Sequence, residues 1–401
     1  MSRTLKSFIL ALVLVLVAGV SFLAGYGASQ RTVSAAPAAT RALPGDELSE
    51  RFKLFWEALS WVEKEFYRPE AIDPTKITYG AIRGMLQTLG DQHTQFVDPQ
   101  EQQISETQLR GGFEGIGVFV EMKADGKLRI VAPQEGSPGE KVGLKAGDVV
   151  THADGKSLAG LTMVQAVSFI RGPKGTNVSL TVVREGSAEP LVFEVMRAEI
   201  KVESVRGKML PQGVGYVRVS QFGVQTRGEL VRVLQELLRE RPKGLVLDLR
   251  SNPGGYLASA VEVASQFLSD GVVLHEVRAN GDRREYRAKA GGLATETPLV
   301  VLMDRGSASA AEIVAGALQD HGRALLVGEK SFGKGSMQSV RSLSDGSSVH
   351  ITIARWHTPK DRPIDGVGLT PDVAVSLSTE VAEGDDVQLQ KAVDVLLGGQ
   401  R

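Results

Sequence analysis

The chain has 401 residues, enough for two or three domains, and its 46 Lys and Arg residues nearly balance its 47 Asp and Glu residues, at a formal net charge of −1. This balance does not indicate nucleic acid or an anionic membrane surface as a partner. The chain contains no cysteine, which excludes disulfides, thiolate metal sites and a cysteine nucleophile. Its six histidines lack a metal-binding spacing, so we expect no metal site and no cofactor.

The N-terminal segment 1–30 has the pattern of an export signal. Arg3 and Lys6 precede an apolar run over 8–24, and a linker is expected over 31–45. The run is close to the lower limit for spanning a bilayer, roughly 17 residues, so a cleaved signal and an uncleaved signal-anchor both stay open, and we favour the anchor. The pattern predicts an extracytoplasmic protein of the cell envelope or periplasm, either anchored in the membrane by this segment or released after cleavage.

Residues 46–110 are predicted to be helical, because their apolar residues recur at three- and four-residue spacing. A second helix within this region is expected over about 75–89. The aromatic stripe formed by Phe52, Phe55 and Trp56 fits an ordinary core and a homodimer surface equally well.

Residues 111–200 contain clustered glycines and short alternating runs, which indicate a small β-rich module with one helix, Met163 to Ile170. The order of glycine-rich loop, strands and helix resembles a PDZ domain. In such a module the loop presents backbone N–H groups that can hold a peptide C-terminal carboxylate while the peptide adds a strand. Arg171, just after the helix, is a candidate sensor of that carboxylate, and a solvated loop arginine fits equally well. The candidate peptide-binding residues in the loop are Gly115, Ile116, Gly117 and Val118.

Residues 201–380 contain the strand and helix patterns of the largest domain. One buried strand, Leu245 to Leu249, leads into a turn that contains Pro253, Gly254 and Gly255. A glycine pair between strand and helix can form an oxyanion hole, because it permits unusual backbone angles and close approach. A simple tight turn is the other interpretation, and the turn alone favours it.

Residues 299–338 contain the candidate nucleophile, Ser309, and its candidate base, Lys334. An apolar strand pattern leads to the serine, which begins a helix where N–H groups favour an oxyanion. The lysine lies in a glycine-rich loop, where Phe332 and Met337 are expected to shield its amine from water. An amine that is kept dry by burial can be neutral and accept the serine proton. Ser309 and Glu312 also fit an S-x-x-E capping box, so a purely structural role for the serine stays open.

Three other patterns are rejected as catalytic signals. The segment 328–334 matches G-x-x-x-x-G-K of a P-loop, but Gly335 stands where a hydroxyl should bind magnesium. Asp320 and His321 lie about three helical turns from the candidate nucleophile, too far for a triad. His93 follows a helix stop, which favours a polar role at the helix end over catalysis.

Several motifs together resemble the C-terminal processing peptidases, also called tail-specific proteases. Their order and spacing cover nearly the whole chain after the signal, and no single motif carries the resemblance. The motifs are AIRGMLQTLGDQHTQF at 81–96, GGFEGIGVFVE at 111–121, VLDLRSNPGG at 246–255, GSASAAEIVAGALQD at 306–320, GEKSFGKGSMQSV at 328–340 and DGVGLTPDV at 365–373.

This resemblance implies a role for each candidate residue. Ser309 would be the nucleophile, Lys334 its general base and Gln338 the residue that orients the lysine. The implied oxyanion donors are the N–H groups of Ala310 and of Gly254 or Gly255.

The resemblance also implies the fold class and the activity. The fold would be multidomain α+β, with a helical N-terminal region, a PDZ domain, a crotonase-like α/β protease core and a C-terminal helix and tail over 381–401. The activity would be that of a serine endopeptidase that recognises substrate C-termini and cleaves near them. Its partners would be proteins or peptides with exposed C-termini. An activating adaptor stays open, and so does a homodimer through the N-terminal helices, which is suggested by their apolar residues and not by the resemblance. The alternative is a catalytically silent PDZ adaptor that binds exposed C-termini.

Overall fold

The computed structural model describes residues 45–123, 125–376 and 386–398. The predicted export signal and nearly all of the predicted linker lie outside these residues. Within them, no helix is both long and apolar enough to cross a membrane. The chain divides into two compact units, one that ends at Ile77 and one that begins at Thr78.

The described part of the first unit consists of helix α1 (Gly45–Glu65), a 3₁₀ turn (Pro69–Ala71) and the start of helix α2 (Pro74–Gln87). Several large apolar side chains of this unit are exposed, although such residues usually seek burial. They are Phe52, Leu54, Trp56, Trp61, Val62 and Tyr67. The aromatic stripe predicted from the sequence is therefore not an ordinary core, and its role as a homodimer surface stays a prediction.

The second unit opens with the rest of α2, a short strand and helix α3 (Pro99–Leu109). The short strand is β1 (Gln95–Val97), which pairs antiparallel with a strand some 250 residues later. The sequence interpretation of 46–110 as wholly helical is therefore wrong at 95–97, because a three-residue strand is too short to show a period.

The β-rich module has a six-stranded antiparallel sheet in the order β3-β4-β5-β7-β8, with β6 paired to β5. Its helices are α4 (Pro138–Lys141) and α5 (Met163–Ile170). Strands β2 and β9 pair antiparallel in a separate two-stranded sheet. The strands are β2 (Gly112–Gly115), β3 (Val118–Met122), β4 (Leu128–Pro133), β5 (Val149–Ala153), β6 (Lys156–Ser157), β7 (Asn177–Val183), β8 (Leu191–Met196) and β9 (Ala198–Lys201). Strand β3 is an edge of this sheet, so one side of it is open to an added strand.

The largest domain is built on a six-stranded sheet in the order β10-β11-β12-β15-β16-β19, parallel except for β10. Its strands are β10 (Val205–Met209), β11 (Gly215–Val219), β12 (Leu245–Asp248), β15 (Leu299–Met303), β16 (Leu325–Gly328) and β19 (Val373–Ala374). Because parallel strands end at the same edge of a sheet, the loops after β12, β15 and β16 lie side by side. These loops contain the glycine pair, the candidate nucleophile and the candidate base.

Helices cover both faces of this sheet. One face packs against α6 (Thr226–Arg239), α7 (Leu257–Ala264) and α8 (Ala310–Asp320), in a core that includes Phe222 and Phe267. The other face packs against α9 (Val387–Gly398). The central strands are buried on both sides, and burying one large apolar side chain stabilises a fold by about 1.5–3 kcal/mol.

The loop after β16, which contains the candidate base, leads into a second sheet. It runs in the order β1-β18-β13-β14, with β17 also paired to β18. Its later strands are β13 (Val272–Arg278), β14 (Arg283–Arg287), β17 (Ser336–Ser342) and β18 (Ser348–His357). Strand β17 begins two residues after Lys334, so this sheet fixes the end of the base loop.

Candidate active site

Ser309 lies at the turn between β15 and α8, where it precedes the first helical residue. Its backbone has φ 56° and ψ −116°, and the residue is 8% exposed. A positive φ in a residue other than glycine costs on the order of 1–3 kcal/mol and persists only when surrounding contacts hold it. The contacts that hold Ser309 in this conformation include Gly254, which lies against its Cβ atom, and Glu312, which accepts its N–H.

In the glycine pair after β12, Gly254 packs against Ser309 and Gly255 packs against Phe222. Gly254 and Gly255 have φ values of 103° and 144°. A Cβ atom on Gly254 would lie 2.7 Å from the Cβ of Ser309, and one on Gly255 would lie 2.3 Å from the carbonyl oxygen of Phe222. Only glycine fits either position, because Gly254 closely approaches the nucleophile and Gly255 closely approaches the backbone of Phe222.

The oxyanion donors implied by the resemblance are not equivalent in this structure. The N–H of Gly254 donates to Oδ1 of Asn252 at 2.8 Å. In the described part of the chain, the N–H groups of Gly255 and Ala310 have no acceptor. The side chain of Asn252 also donates to the carbonyl of Val219 at 2.7 Å, which braces the glycine turn against β11.

A single buried carboxylate joins the nucleophile turn to the base loop. Glu312, which is 0% exposed, accepts the N–H of Ser309 at 2.8 Å and the N–H of Lys334 at 2.8 Å. It also accepts the N–H of Gly333 at 2.7 Å and the hydroxyl of Ser331 at 2.5 Å. The capping box read from the sequence is thus one part of a larger contact that sets the nucleophile and base backbones together.

Lys334 lies in a partly dry site. Burial disfavours its ammonium and lowers the pKa of Lys334 below the ordinary lysine value. Phe332, expected to shield the amine, is instead 60% exposed, whereas Met337 packs against the core. The buried Trp356 lies beside the base loop, and its indole N–H donates to the carbonyl of Lys334 at 3.1 Å.

Two histidines face the charge of Lys334. The pKa of His93 and the pKa of His350 are both lowered, first by burial and then by the positive charge of Lys334. The His93 ring has its Nε2 4.0 Å from Oδ1 of Asp365, and its main-chain carbonyl accepts the side-chain amide of Gln338. The positive charge of Lys334 thus favours the neutral form of both imidazoles.

The structure brings together the turns that carry all the predicted catalytic residues, but it does not join the dyad itself. Among the described residues, no hydrogen bond connects Nζ of Lys334 with Oγ of Ser309, and none connects Gln338 with Lys334. Gln338 contacts the segment around His93 instead. The predicted orientation of the lysine by Gln338 therefore stays a prediction.

An ion-pair network supports the glycine turn from behind. Arg250 pairs with Asp248 at 2.6 Å and with Asp386 at 2.7 Å, and it donates to Gln388 at 3.2 Å. Burial lowers the pKa of Arg250. The hydrogen bonds to Asp386 and Asp248, together with the negative charges of both carboxylates, outweigh burial and raise the pKa well above its ordinary range. The network ties the residue before the turn to the start of α9.

The predicted peptide-binding residues lie together in the β-rich module. The loop at 115–118 joins β2 to the edge strand β3, and a Cβ atom on Gly117 would lie 2.5 Å from the Cβ of Ser137. The guanidinium of Arg171 lies over the ring of Phe113 at 4.4 Å, and burial lowers the pKa of Arg171. Both residues line a cleft of about 1080 Å³, so Arg171 is not a freely solvated loop arginine.

The rejected patterns have other roles in the structure. The P-loop-like segment leads into strand β17 and not into a helix, so no helix N-terminus is available for phosphate. Asp320 pairs with Arg362 at 2.5 Å, and His321 contacts the carbonyl of Val272 at 2.7 Å.

Sequence reasoning did not reveal how Glu312, His93, Asn252 and Arg250 contact the candidate site. Glu312 is the only charged residue in the small and apolar run over 307–318, which signals a buried carboxylate that needs donors. Asn252 follows a buried strand, where polar side chains often brace a turn. No local signal links His93 or Arg250 to partners more than a hundred residues away.

Two domain families match parts of this chain. Residues 213–375 match the model of peptidase family S41, and residues 129–184 match that of the PDZ domain. A carboxyl-terminal-processing protease of Synechocystis sp. is 36% identical over 84% of this chain and 81% of its own length. A carboxy-terminal-processing protease of Bartonella bacilliformis is 39% identical over 79% of this chain and 74% of its own length.

A solved structure of a candidate S41 protease from Bacteroides fragilis superposes with a TM-score of 0.52 at 16% identity, over 82% of this chain and 91% of that chain. This likeness shows the fold. The predicted α+β class, with a PDZ domain and a protease core, is confirmed. The chain belongs to peptidase family S41, a serine-type family, among the carboxyl-terminal-processing proteases.

Proposed function

We propose that this protein is an extracytoplasmic endopeptidase that binds substrate C-termini through its PDZ domain and cleaves near them with a dyad of Ser309 and Lys334. The observation that carries the proposal is the contact of three loops at one sheet edge. Gly254 touches Ser309, and the carboxylate of Glu312 holds the backbones of Ser309 and Lys334 together. No cofactor enters the reaction.

In the proposed reaction, neutral Lys334 takes the proton of Ser309 as its Oγ attacks the scissile carbonyl. The oxyanion is stabilised by the N–H groups of Ala310 and of the glycine pair, and Gly254 must then release Asn252 if it takes part. The ammonium returns the proton to the leaving amine, which leaves an acyl ester on Ser309. Water, deprotonated by the same amine, hydrolyses the ester and restores the serine.

We interpret the position of Lys334 in this structure as the resting state of the enzyme. Its backbone is in place, but its amine is not hydrogen-bonded to the nucleophile. We infer that substrate, or an activating adaptor, completes the dyad. The exposed aromatic residues of α1 support a homodimer through the N-terminal helices, and the apolar run over 8–24 supports an N-terminal membrane anchor.

Tail recognition is tested with a substrate whose C-terminal carboxylate is removed. We expect an unstructured polypeptide that ends in valine to be cleaved near its C-terminus, and the same polypeptide with an amidated end to show a KM raised about tenfold or more, because Arg171 and the loop N–H groups lose a charged acceptor. Arg171→Ala should reduce this difference, because only the loop N–H groups then remain to bind the carboxylate. Mass spectrometry of the products locates the cleavage, and equal KM values for both substrates would contradict a carboxylate site.

The pH dependence follows from the state of the lysine. Lys334 acts only when neutral, so kcat should rise with pH, and because burial lowers the pKa of Lys334 the midpoint should lie below that of a solvated lysine. The measurement is a pH–rate profile from about pH 6 to pH 10 under conditions where chemistry limits the rate. A flat profile would argue against an amine base.

A further inference from the structure

Ser336 carries a buried hydroxyl that the reaction above leaves without a role. The residue is 3% exposed, and its Oγ has no hydrogen-bond partner in the described part of the chain. Buried hydroxyls are nearly always hydrogen-bonded, because losing water without gaining a partner costs free energy. An unpartnered hydroxyl two residues from the base therefore needs an explanation.

The backbone sets the side to which Ser336 projects. The carbonyl of Gly335 accepts the N–H of Trp356 at 2.9 Å, which extends the ladder of β17 with β18 by one residue. A Cβ atom on Gly335 would lie 2.2 Å from the backbone nitrogen of Asp365, so that side of the segment is filled. Because side chains alternate along an extended chain, Lys334 and Ser336 project to the opposite side.

Gln338 belongs to the same row of side chains as Lys334 and Ser336, on one side of the strand. The one irregularity in the pairing skips Ile353 of β18 and leaves β17 regular. Lys334, Ser336 and Gln338 therefore occupy alternate positions on one side. Gln338 reaches the main-chain carbonyl of His93, and the ring of His93 faces the charge of Lys334, so the ends of the row meet the same neighbour.

The chemistry of the base requires several acceptors. An ammonium has three N–H donors, and in a dry site each needs an acceptor. Within the described residues, Nζ of Lys334 has no acceptor in the resting arrangement. The Ser309 oxygen can accept one N–H, and Gln338 can accept a second through Oε1, since its nitrogen is committed to His93.

We propose that Ser336 is a positioning residue for the base, whose Oγ accepts the third N–H of the Lys334 ammonium formed when Ser309 loses its proton. This inference rests on the proposed dyad of Ser309 and Lys334. It explains why the hydroxyl is buried without a partner at rest, because its partner arrives during turnover. Ser336 would thus stabilise the charged lysine that the transition state creates.

The test compares Ser336→Ala with the full-length wild-type enzyme on an unstructured polypeptide that ends in valine. We expect kcat to fall about tenfold to a hundredfold with KM unchanged, which is the effect of losing a hydrogen bond from a charged donor. The melting temperature should not fall, because the hydroxyl has no partner at rest. Ser336→Thr keeps the hydroxyl and should retain most of kcat.

The matched control is Ser259→Ala. Ser259 on α7 also carries a buried hydroxyl without a partner, and its removal should change neither kcat nor the melting temperature. Full kcat in Ser336→Ala, or a loss of kcat that Ser336→Thr shares, would overturn the role of Ser336. Retained cleavage in Ser309→Ala would instead overturn the underlying dyad, so the two failures are distinguishable.

Discussion

Ser309→Ala and Lys334→Ala are each expected to lower turnover of a tailed polypeptide by at least about a thousandfold, because a serine hydroxyl without a base is a weak nucleophile. The double variant should be no less active than either single variant, since the two residues act as a unit. The measurement is product formation followed by mass spectrometry. Melting temperatures close to that of the wild type would show that the loss is chemical.

The matched control for the base is Lys330→Ala. Lys330 is an exposed lysine of the same loop, so its removal should leave kcat unchanged. A silent PDZ adaptor would bind tails and leave Ser309→Ala and Lys334→Ala indistinguishable from the wild type. Full turnover in either variant would therefore refute the dyad.

Glu312→Gln should damage both stability and activity. All four hydrogen bonds described for Glu312 are accepted by its carboxylate, and an amide would turn an NH₂ group towards donors on one side. Because those donors are buried, we expect the free energy of unfolding to fall by about 2–4 kcal/mol. We expect kcat to fall at least about a hundredfold, because a displacement of the base by 1 Å has an effect of this size. Urea unfolding and kcat measure the two effects.

Glu276→Gln is the control that separates the two effects. Glu276 is a buried carboxylate outside the site, 2% exposed, which accepts Arg278 at 2.9 Å and the hydroxyl of Tyr286 at 2.8 Å. Its replacement should cost stability while the folded enzyme keeps its kcat. If Glu312→Gln also kept its kcat once folded, the carboxylate would be structural only.

The sequence was most informative where periodicity is local. The run 299–303 is a strand in the structure, and 163–170 is a helix, as predicted. Central parallel strands are buried on both faces and are continuous apolar runs, so their limits are visible without partners. The three-residue strand β1 was missed, because its partner β18 is distant and its own pattern is too short.

The site could be predicted as a set of turns but not as a set of contacts. Local rules predicted that Ser309 and Glu312 form a capping box, and they could not show that the same carboxylate also holds the backbone of Lys334. The prediction that Phe332 shields the amine of Lys334 was wrong, because adjacency in sequence does not determine which side chain covers an amine. The joining of these turns depends on the order of strands in the sheet, which no single segment encodes.

The helix over 387–398 has a consequence for biosynthesis. It supplies the apolar layer on one face of the large sheet, and Asp386 just before it reaches back to Arg250 beside the glycine turn. A ribosome makes this segment after both residues of the proposed dyad. A nascent chain therefore contains the serine and the lysine while one face of its sheet is still not covered by this helix. We therefore expect hydrolytic activity to appear only after residues 386–398 have been synthesised and have packed on the sheet.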